Sequence, residues 1–400
     1  MNDSNNLHKP FEESHNFPTK GVPKFSDLRQ HMKGNMSMKK IVYSAGALLL
    51  AASLTACGSG TNTNTNAGTG TGDTQQSGSG SVTTENNAAD GGGAAVTLQI
   101  GYENSASEPI GQGLEKWQEL LAAEDTGLEI ALYPDSQLGD KSALIDSMTL
   151  GEGVCTLADG AFYADYGVND FGIVFGPFLF DDWDDCWTLI DSDWYAQQCE
   201  ELEEKGLHII GSNWIYGERH TMTTKKVETV DDLSGLKIRV PNNQIQTQGF
   251  NALGATATGM PLGDVYTALQ QGTIDGAENP LATLYGRSLQ EVAKYIILDG
   301  HVKNFTTWVC SSDWYNSLTP EQQTALTETC EAAGEYNNEL QEEADEEYLQ
   351  LMKDAGVEVV EPTDEVIDAF KEKAQSFYEM GSTFGWSDGL YETVEEAMGK

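Results

Sequence analysis

From Val96 onward the chain alternates strand-like runs with helix-like ones, and that alternation admits few folds. VTLQIGYE reads as a strand, and Ile110 to Ala123 as a helix carrying Leu114, Trp117, Leu120 and Leu121 on one side. LEIALY is a second strand, GDKSALIDSMTLGEG a second helix, VCTLAD a third strand and LHIIGSNWIY a later one. The middle repeats the theme with LKIRVP, QIQTQGFNALG, ATATGM, GDVYTALQQG and TIDGAEN. Such alternation predicts parallel βαβ units. YIILDGHV and FTTWVCSS then read as two strands, followed by a helix over 320–354 and shorter helices after Thr363. At about 1.5 Å per residue the long helix reaches ~50 Å, enough to brace two lobes. Two α/β lobes joined by chain crossovers place a ligand in the cleft between them, beyond the carboxyl ends of the strands.

The N-terminal part is built differently. MKKIVYSAGALLLAASLTAC, from Met38, opens on Lys39 and Lys40, continues through an apolar run from Ile41 to Leu54, and ends on small residues before Cys57. That is the layout of a secretory signal, and the apolar run is well short of the ~20 residues that span a bilayer. LTAC resembles the bacterial lipobox, which implies a lipidated Cys57 as the first mature residue. Residues 1–37 are polar and unpatterned and read as an over-extended start. Gly, Ser, Thr and Asn dominate from Gly58 to about Ala95, a composition that cannot repay its ordering entropy and predicts a flexible tether.

From Cys57 onward 15 basic residues face 59 acidic ones, a balance of −44. Such a surface repels phosphate backbones, so nucleic acid is excluded as a partner. Acidity also makes the cations informative, because only Arg219, Arg239 and Arg287 are arginines in this portion. Arg287 is expected to reach a nearby acid such as Glu291. No CxxC pair or zinc spacing links Cys155, Cys186, Cys199, Cys310 and Cys330. The expectation is buried free thiols, with a Cys186–Cys199 bridge as the alternative. His208, His220 and His301 have no helical metal-ligand spacing, and neither a GxSxG elbow nor a GxxxxGK[ST] loop occurs. Neither a cofactor nor a metal is expected, and an enzyme is disfavoured; a paired-carboxylate glycosidase is the form that composition alone leaves open.

The segment from Ser212 to Asn304 resembles the DctP-type substrate-binding proteins of tripartite ATP-independent periplasmic (TRAP) transporters. Its motifs are LSGLKIRVP, then PLGDVYTALQQG, then DGAENP, with LYPDSQLGDKSALI upstream. The resemblance covers about 98–385 and implies a two-lobe periplasmic-binding-protein-like fold, with lobe I at 96–216 plus about 303–345 and lobe II at 217–302 plus about 346–400. Residues 1–56 and 57–95 are then the upstream extension with its signal and the tether. The family's carboxylate-clamping arginine falls on Arg239, a second ligand-side arginine on Arg219, and a supporting asparagine on Asn279. Without the resemblance, Arg239 and Arg219 read as partners of neighbouring acids, and Asn279, before Pro280, as a turn residue.

Chemistry agrees with that placement. A carboxylate entering a closing cleft loses its water, and charge-assisted hydrogen bonds replace that hydration well. Guanidinium presents two parallel donors to two carboxylate oxygens, a fork that lysine lacks. Glu103 and Asp159 fall where the family touches ligand. Acids there repel a simple dicarboxylate but accept hydrogen bonds from hydroxyls, which points to a sugar acid, a uronate or aldonate. Their other readings are a cap for Glu103 and a turn with Gly160 for Asp159. The expected role is a lipid-anchored, extracytoplasmic binding protein that docks with TRAP membrane permease subunits. A binding protein of an ATP-driven importer is the alternative.

Overall fold

A computed structural model describes residues 95–400. The signal, Cys57 and all of the tether but Ala95 lie outside the described residues. Each half of the expected βαβ pattern is present. β1 (Val96–Gly101) pairs in parallel with β2 (Leu128–Tyr133) and with β3 (Val154–Ala158). β4 (Leu207–Thr223) leads into the second half, where β5 (Lys237–Val240) pairs in parallel with both β6 (Thr256–Gly259) and β7 (Gly276–Asn279). β8 (Tyr295–Ser311) returns, and β9 (Glu358–Val360) adds a short parallel edge to its start.

The two halves share one mixed sheet, in the order β2-β1-β3-β8-β4-β7-β5-β6. β4 and β8 run antiparallel through both, each 17 residues long, so the two strands expected at 295–311 are one. β3 takes the far end of β8, and β9 and β7 flank the other end of the pair. Register shifts interrupt the pairing between Ile209 and Thr221. Polar side chains of the long helix Pro320–Asp354 meet the backbone groups that this irregular stretch leaves open. Asn338 Nδ2 donates to Asn213 O, Asn337 Nδ2 to Ile215 O and Gln341 Nε2 to Tyr216 O. Gly217 sits within it at φ +132°, where an added Cβ would lie 2.7 Å from Pro280 Cβ, so only glycine fits.

The long helix starts where its sequence says it will. Thr319 and Gln322 form a reciprocal capping box and Pro320 fills the first turn, where its missing N–H costs nothing. Its first half docks on a buried triad of Trp117, Trp214 and Trp308, and Trp117 Nε1 donates to Thr329 Oγ1. Further on, Met352 joins a second-half cluster with Val265, Leu284 and Ile296. The brace therefore touches both halves. After it, the helix Asp364–Tyr378 packs Phe370 and Ala374 with Ile238 and Phe250, whereas Phe377, Phe384, Trp386 and Leu390 pack with Cys186 and Leu189. All five described cysteines are free, with Cys155, Cys186, Cys310 and Cys330 buried.

Candidate ligand-binding site

Carboxyl ends of strands from both halves converge on one cavity of about 340 Å³, counting its share of open solvent. Glu103, Asp159, Arg219, Arg239 and Asn279 all line it, with Lys141, Tyr216, Gln246, Asn304 and Thr306 between them. Leu157, Phe162, Pro241 and Leu262 supply an apolar lining.

β5 carries Arg239, 2% exposed. Nε donates to Met260 O at 2.9 Å, which orients the side chain, and this is its one side-chain hydrogen bond among the described residues. Burial pulls this guanidinium down to about 10, although Glu103 and Glu278 act to hold it up. It is a buried cation with too little counter-charge, a state that an incoming anion relieves.

Arg219, on β4, is equally buried but already paired. Nε and Nη2 donate to Glu278 Oε2 and Oε1 at 2.6 and 2.8 Å, and Nη1 donates to Asn304 Oδ1 at 3.1 Å. Burial works to lower it, and the facing Glu278 carboxylate reverses that, leaving it raised. Its fork is thus spent inside the protein, and one hydrogen on Nη1 remains for a ligand.

Behind this pair runs a buried relay that the sequence reading did not single out. Glu278 Oε2 lies 3.2 Å from His301 Nε2, and His301 Nδ1 lies 3.1 Å from Asp299 Oδ2. Asp299 also accepts from Thr221 N and Thr221 Oγ1 at 3.0 and 2.7 Å. Burial opposes the charge on both Glu278 and His301, yet Arg219 and His301 hold the carboxyl at about 2, and Asp299 with Glu278 holds the imidazole at about 9. Asn279 closes β7 beside it, 3% exposed, and its amide has no partner among the described residues.

On the opposite wall, Asp159 caps the helix Gly160–Asp165, Oδ1 accepting from Ala161 N at 3.0 Å. The turn reading and the ligand reading therefore coexist, since Oδ2 makes no such bond. Burial pushes this carboxyl up, and Lys141 and Arg219 pull against it. Glu103 caps nothing; its Oε2 stands 3.6 Å from Lys141 Nζ, which also lies 4.6 Å from the Phe162 ring centroid. Lys141 was legible only as a polar first turn after the Asp140 cap of the helix Lys141–Thr149. Arg287 corrects an expectation: Glu291 accepts from Tyr266 OH instead, and Arg287 Nη1 faces Asp135 Oδ1 at 3.7 Å.

Among the described residues no acidic, His or Cys group forms a metal cage, and no helix is long and apolar enough to cross a membrane.

The family model for bacterial extracellular solute-binding proteins, family 7 (DctP), matches residues 100–382. A TRAP periplasmic solute-binding protein from Ochrobacterium anthropi, solved with bound L-fuconate, is 38% identical, with a TM-score of 0.73 over 76% of this chain and 100% of that one. A second, from Actinobacillus succinogenes 130z with bound L-galactonate, is 32% identical, with a TM-score of 0.71 over 76% and 99%. The 2,3-diketo-L-gulonate-binding periplasmic protein YiaO of Escherichia coli is 31% identical over 274 residues, 68% of this chain and 83% of its own.

Proposed function

The chain belongs to the DctP family of bacterial extracellular solute-binding proteins, and from that membership we propose that it captures a sugar acid, a uronate or aldonate, for a TRAP permease. Its place is extracytoplasmic, and family membership sets aside the ATP-driven importer. One observation carries the ligand reading: Arg239 is a buried guanidinium whose one side-chain hydrogen bond is made from Nε, set in a cavity whose other wall holds Glu103 and Asp159. The carboxylate of the ligand lies on Arg239 and Asn279. Its hydroxyls donate to Glu103 and Asp159, and Lys141 offsets the charge of those two acids. Arg219 contributes one donor and the positive field that Glu278 fixes in place.

The ligands of two of these relatives support the class: L-fuconate and L-galactonate are both monocarboxylates with a hydroxylated chain. A C4-dicarboxylate instead brings its second charge against Glu103 and Asp159, at a cost that grows as water leaves the cleft. Titration calorimetry against D-galacturonate, L-galactonate, L-malate and succinate tests the reading. Micromolar or tighter binding of a sugar acid with no heat from succinate is expected; tighter binding of either dicarboxylate overturns it.

Binding is the whole task in this reading. In it the lobes are 96–216 with about 303–345, and 217–302 with about 346–400, of which Phe377, Phe384, Trp386 and Leu390 pack back against Cys186 and Leu189. They close on the ligand, and the bound ligand leaves unchanged, so mass spectrometry after prolonged incubation returns the acid that was added. A lipid on Cys57 holds the protein at the outer face of the membrane. Palmitate labelling that disappears in Cys57→Ser supports the anchor, and labelling that persists refutes it.

A further inference from the structure

Next to the cavity, behind Tyr216, polar groups of the two halves meet at a second place. Asn104 and Glu108 follow β1, whereas Thr283, Gly286 and Arg287 belong to the helix after β7 and its C-cap. Glu108 is 1% exposed and Asn104 0%. Glu108 Oε2 accepts from Asn104 Nδ2 at 2.6 Å and from Thr283 Oγ1 at 3.0 Å, and its Oε1 accepts from Ser105 N at 2.8 Å. Asn104 Nδ2 also reaches Thr283 Oγ1 and Tyr216 OH, both at 3.1 Å. Glu108 lies so close to the second-half helix that a Cβ on Gly286 would meet its Oε1 at 2.6 Å. Beside it, Arg287 holds Nε and Nη2 buried without a partner, with Asp135, from the loop after β2, facing its Nη1.

We propose that this cluster is a ligand-independent latch between the lobes, in which Thr283 and Arg287 on one side grip Glu108, Asn104 and Asp135 on the other and set how often the cleft is closed. The Glu108–Asn104–Thr283 bonds form only while the lobes touch; when they part, water must replace every cross-lobe bond. Burial pushes the Glu108 carboxyl up, and Asn104, the Ser105 amide, Thr283 and Arg287 act against it, so the partners across the gap are part of what keeps an acid tolerable there. A latch differs from a ligand contact in a measurable way. Apparent affinity is the intrinsic affinity scaled by the closed fraction, so a latch variant weakens every ligand by one common factor.

The test uses Thr283→Val, which removes the hydroxyl and keeps the shape, Arg287→Gln, and Gly286→Ala, which wedges Glu108 outward. Dissociation constants are measured for L-galactonate and D-galacturonate. Distances are taken by spin labels at Leu150→Cys and Gln271→Cys, exposed positions on opposite lobes. The expected result is a three- to tenfold rise that is the same for both acids, with distances displaced toward the open form. Unchanged constants in all three variants, or factors that differ between the two acids, overturn the latch. The inference rests on the proposed function only for its ligands. If the parent protein takes neither acid, that reading fails by itself. The unliganded distances then decide the latch: depletion of a closed fraction supports it, and coincident distributions overturn it.

Discussion

The two walls of the cleft hold their charges by different means. On the wall built from β4, β5, β7 and β8, Arg219, Glu278, His301 and Asp299 are joined by hydrogen bonds and ion pairs, every member nearly or wholly shielded from water. On the β1–β3 wall, Glu103 and Lys141 stand 3.6 Å apart and Asp159 is fixed through one oxygen only. The first wall is a preset anchor, and Arg239 is its one cation left short of a partner. The second wall has spare acceptors and room to rearrange. An anchor of that kind suits the invariant part of a sugar acid, its carboxylate, and adaptable acceptors suit the part that varies between sugars.

Breaking the anchor wall carries the largest expected effect. Glu278→Gln strands Arg219 and His301 in the interior, and loss of one partner of a buried ion pair costs about 3–5 kcal/mol. Thermal or denaturant unfolding should show that loss with or without ligand; a change below 1 kcal/mol would mean that the network relaxes as freely as the other wall.

Next come the acids of the reading wall. Asp159→Asn keeps a competent helix cap, and Glu103→Gln keeps the shape, so neither should unfold the protein. Each removes a charge-assisted bond to a ligand hydroxyl, worth roughly 1.5–3 kcal/mol. Calorimetry should show sugar acids bound more weakly and dicarboxylates rejected less. Equal losses for every ligand would contradict a reading role.

A smaller effect separates the walls by pH. His301 is raised to about 9, so its stabilising contribution is complete below its ordinary value near 6.5 and is lost as pH rises through 9. Glu278 is lowered to about 2, so its contribution is present above its ordinary value of 4.5 and is lost as pH falls through 2. Melting temperature should therefore decline between pH 6.5 and 9. Glu331, raised by burial to about 7, and Asp345, raised by burial to about 6, lose their contribution as pH rises toward those values, so their effect falls mostly below that window. His301→Gln should flatten part of that decline.

The smallest effect is kinetic. With a balance of −44 from Cys57 onward, an approaching anion meets repulsion that salt screens beyond about 8–10 Å. Stopped-flow association should quicken as salt rises from low values. A rate that falls would show that the Arg239 wall projects its field beyond the cleft.

Much of this arrangement was legible because its signals are local. The helical pattern over 320–354 announces the long helix, and three arginines in so acidic a body mark the places where an anion can be met. What was hidden depends on pairing across the chain. Glu278 stands one residue before Asn279 in GAENP, yet nothing nearby tells that it takes the fork of Arg219, 59 residues earlier. His301 likewise becomes a charged link only because β7 and β8 bring two carboxylates to its two nitrogens. Arg287 looked local, with Glu291 four residues on, and the fold sent it across to Asp135. The fusion of two expected strands into β8 has the same cause, since pairing with β4 resumes on both sides of the irregularity at its Asp-Gly.

The most direct test of the central claim is calorimetry of Arg239→Lys with L-galactonate, beside circular dichroism to verify the fold. Lysine keeps the charge and discards the two-pronged donor, so affinity should fall by roughly ten- to a hundredfold, equivalent to about one lost charge-assisted bond. Undiminished affinity would show that the carboxylate is held elsewhere.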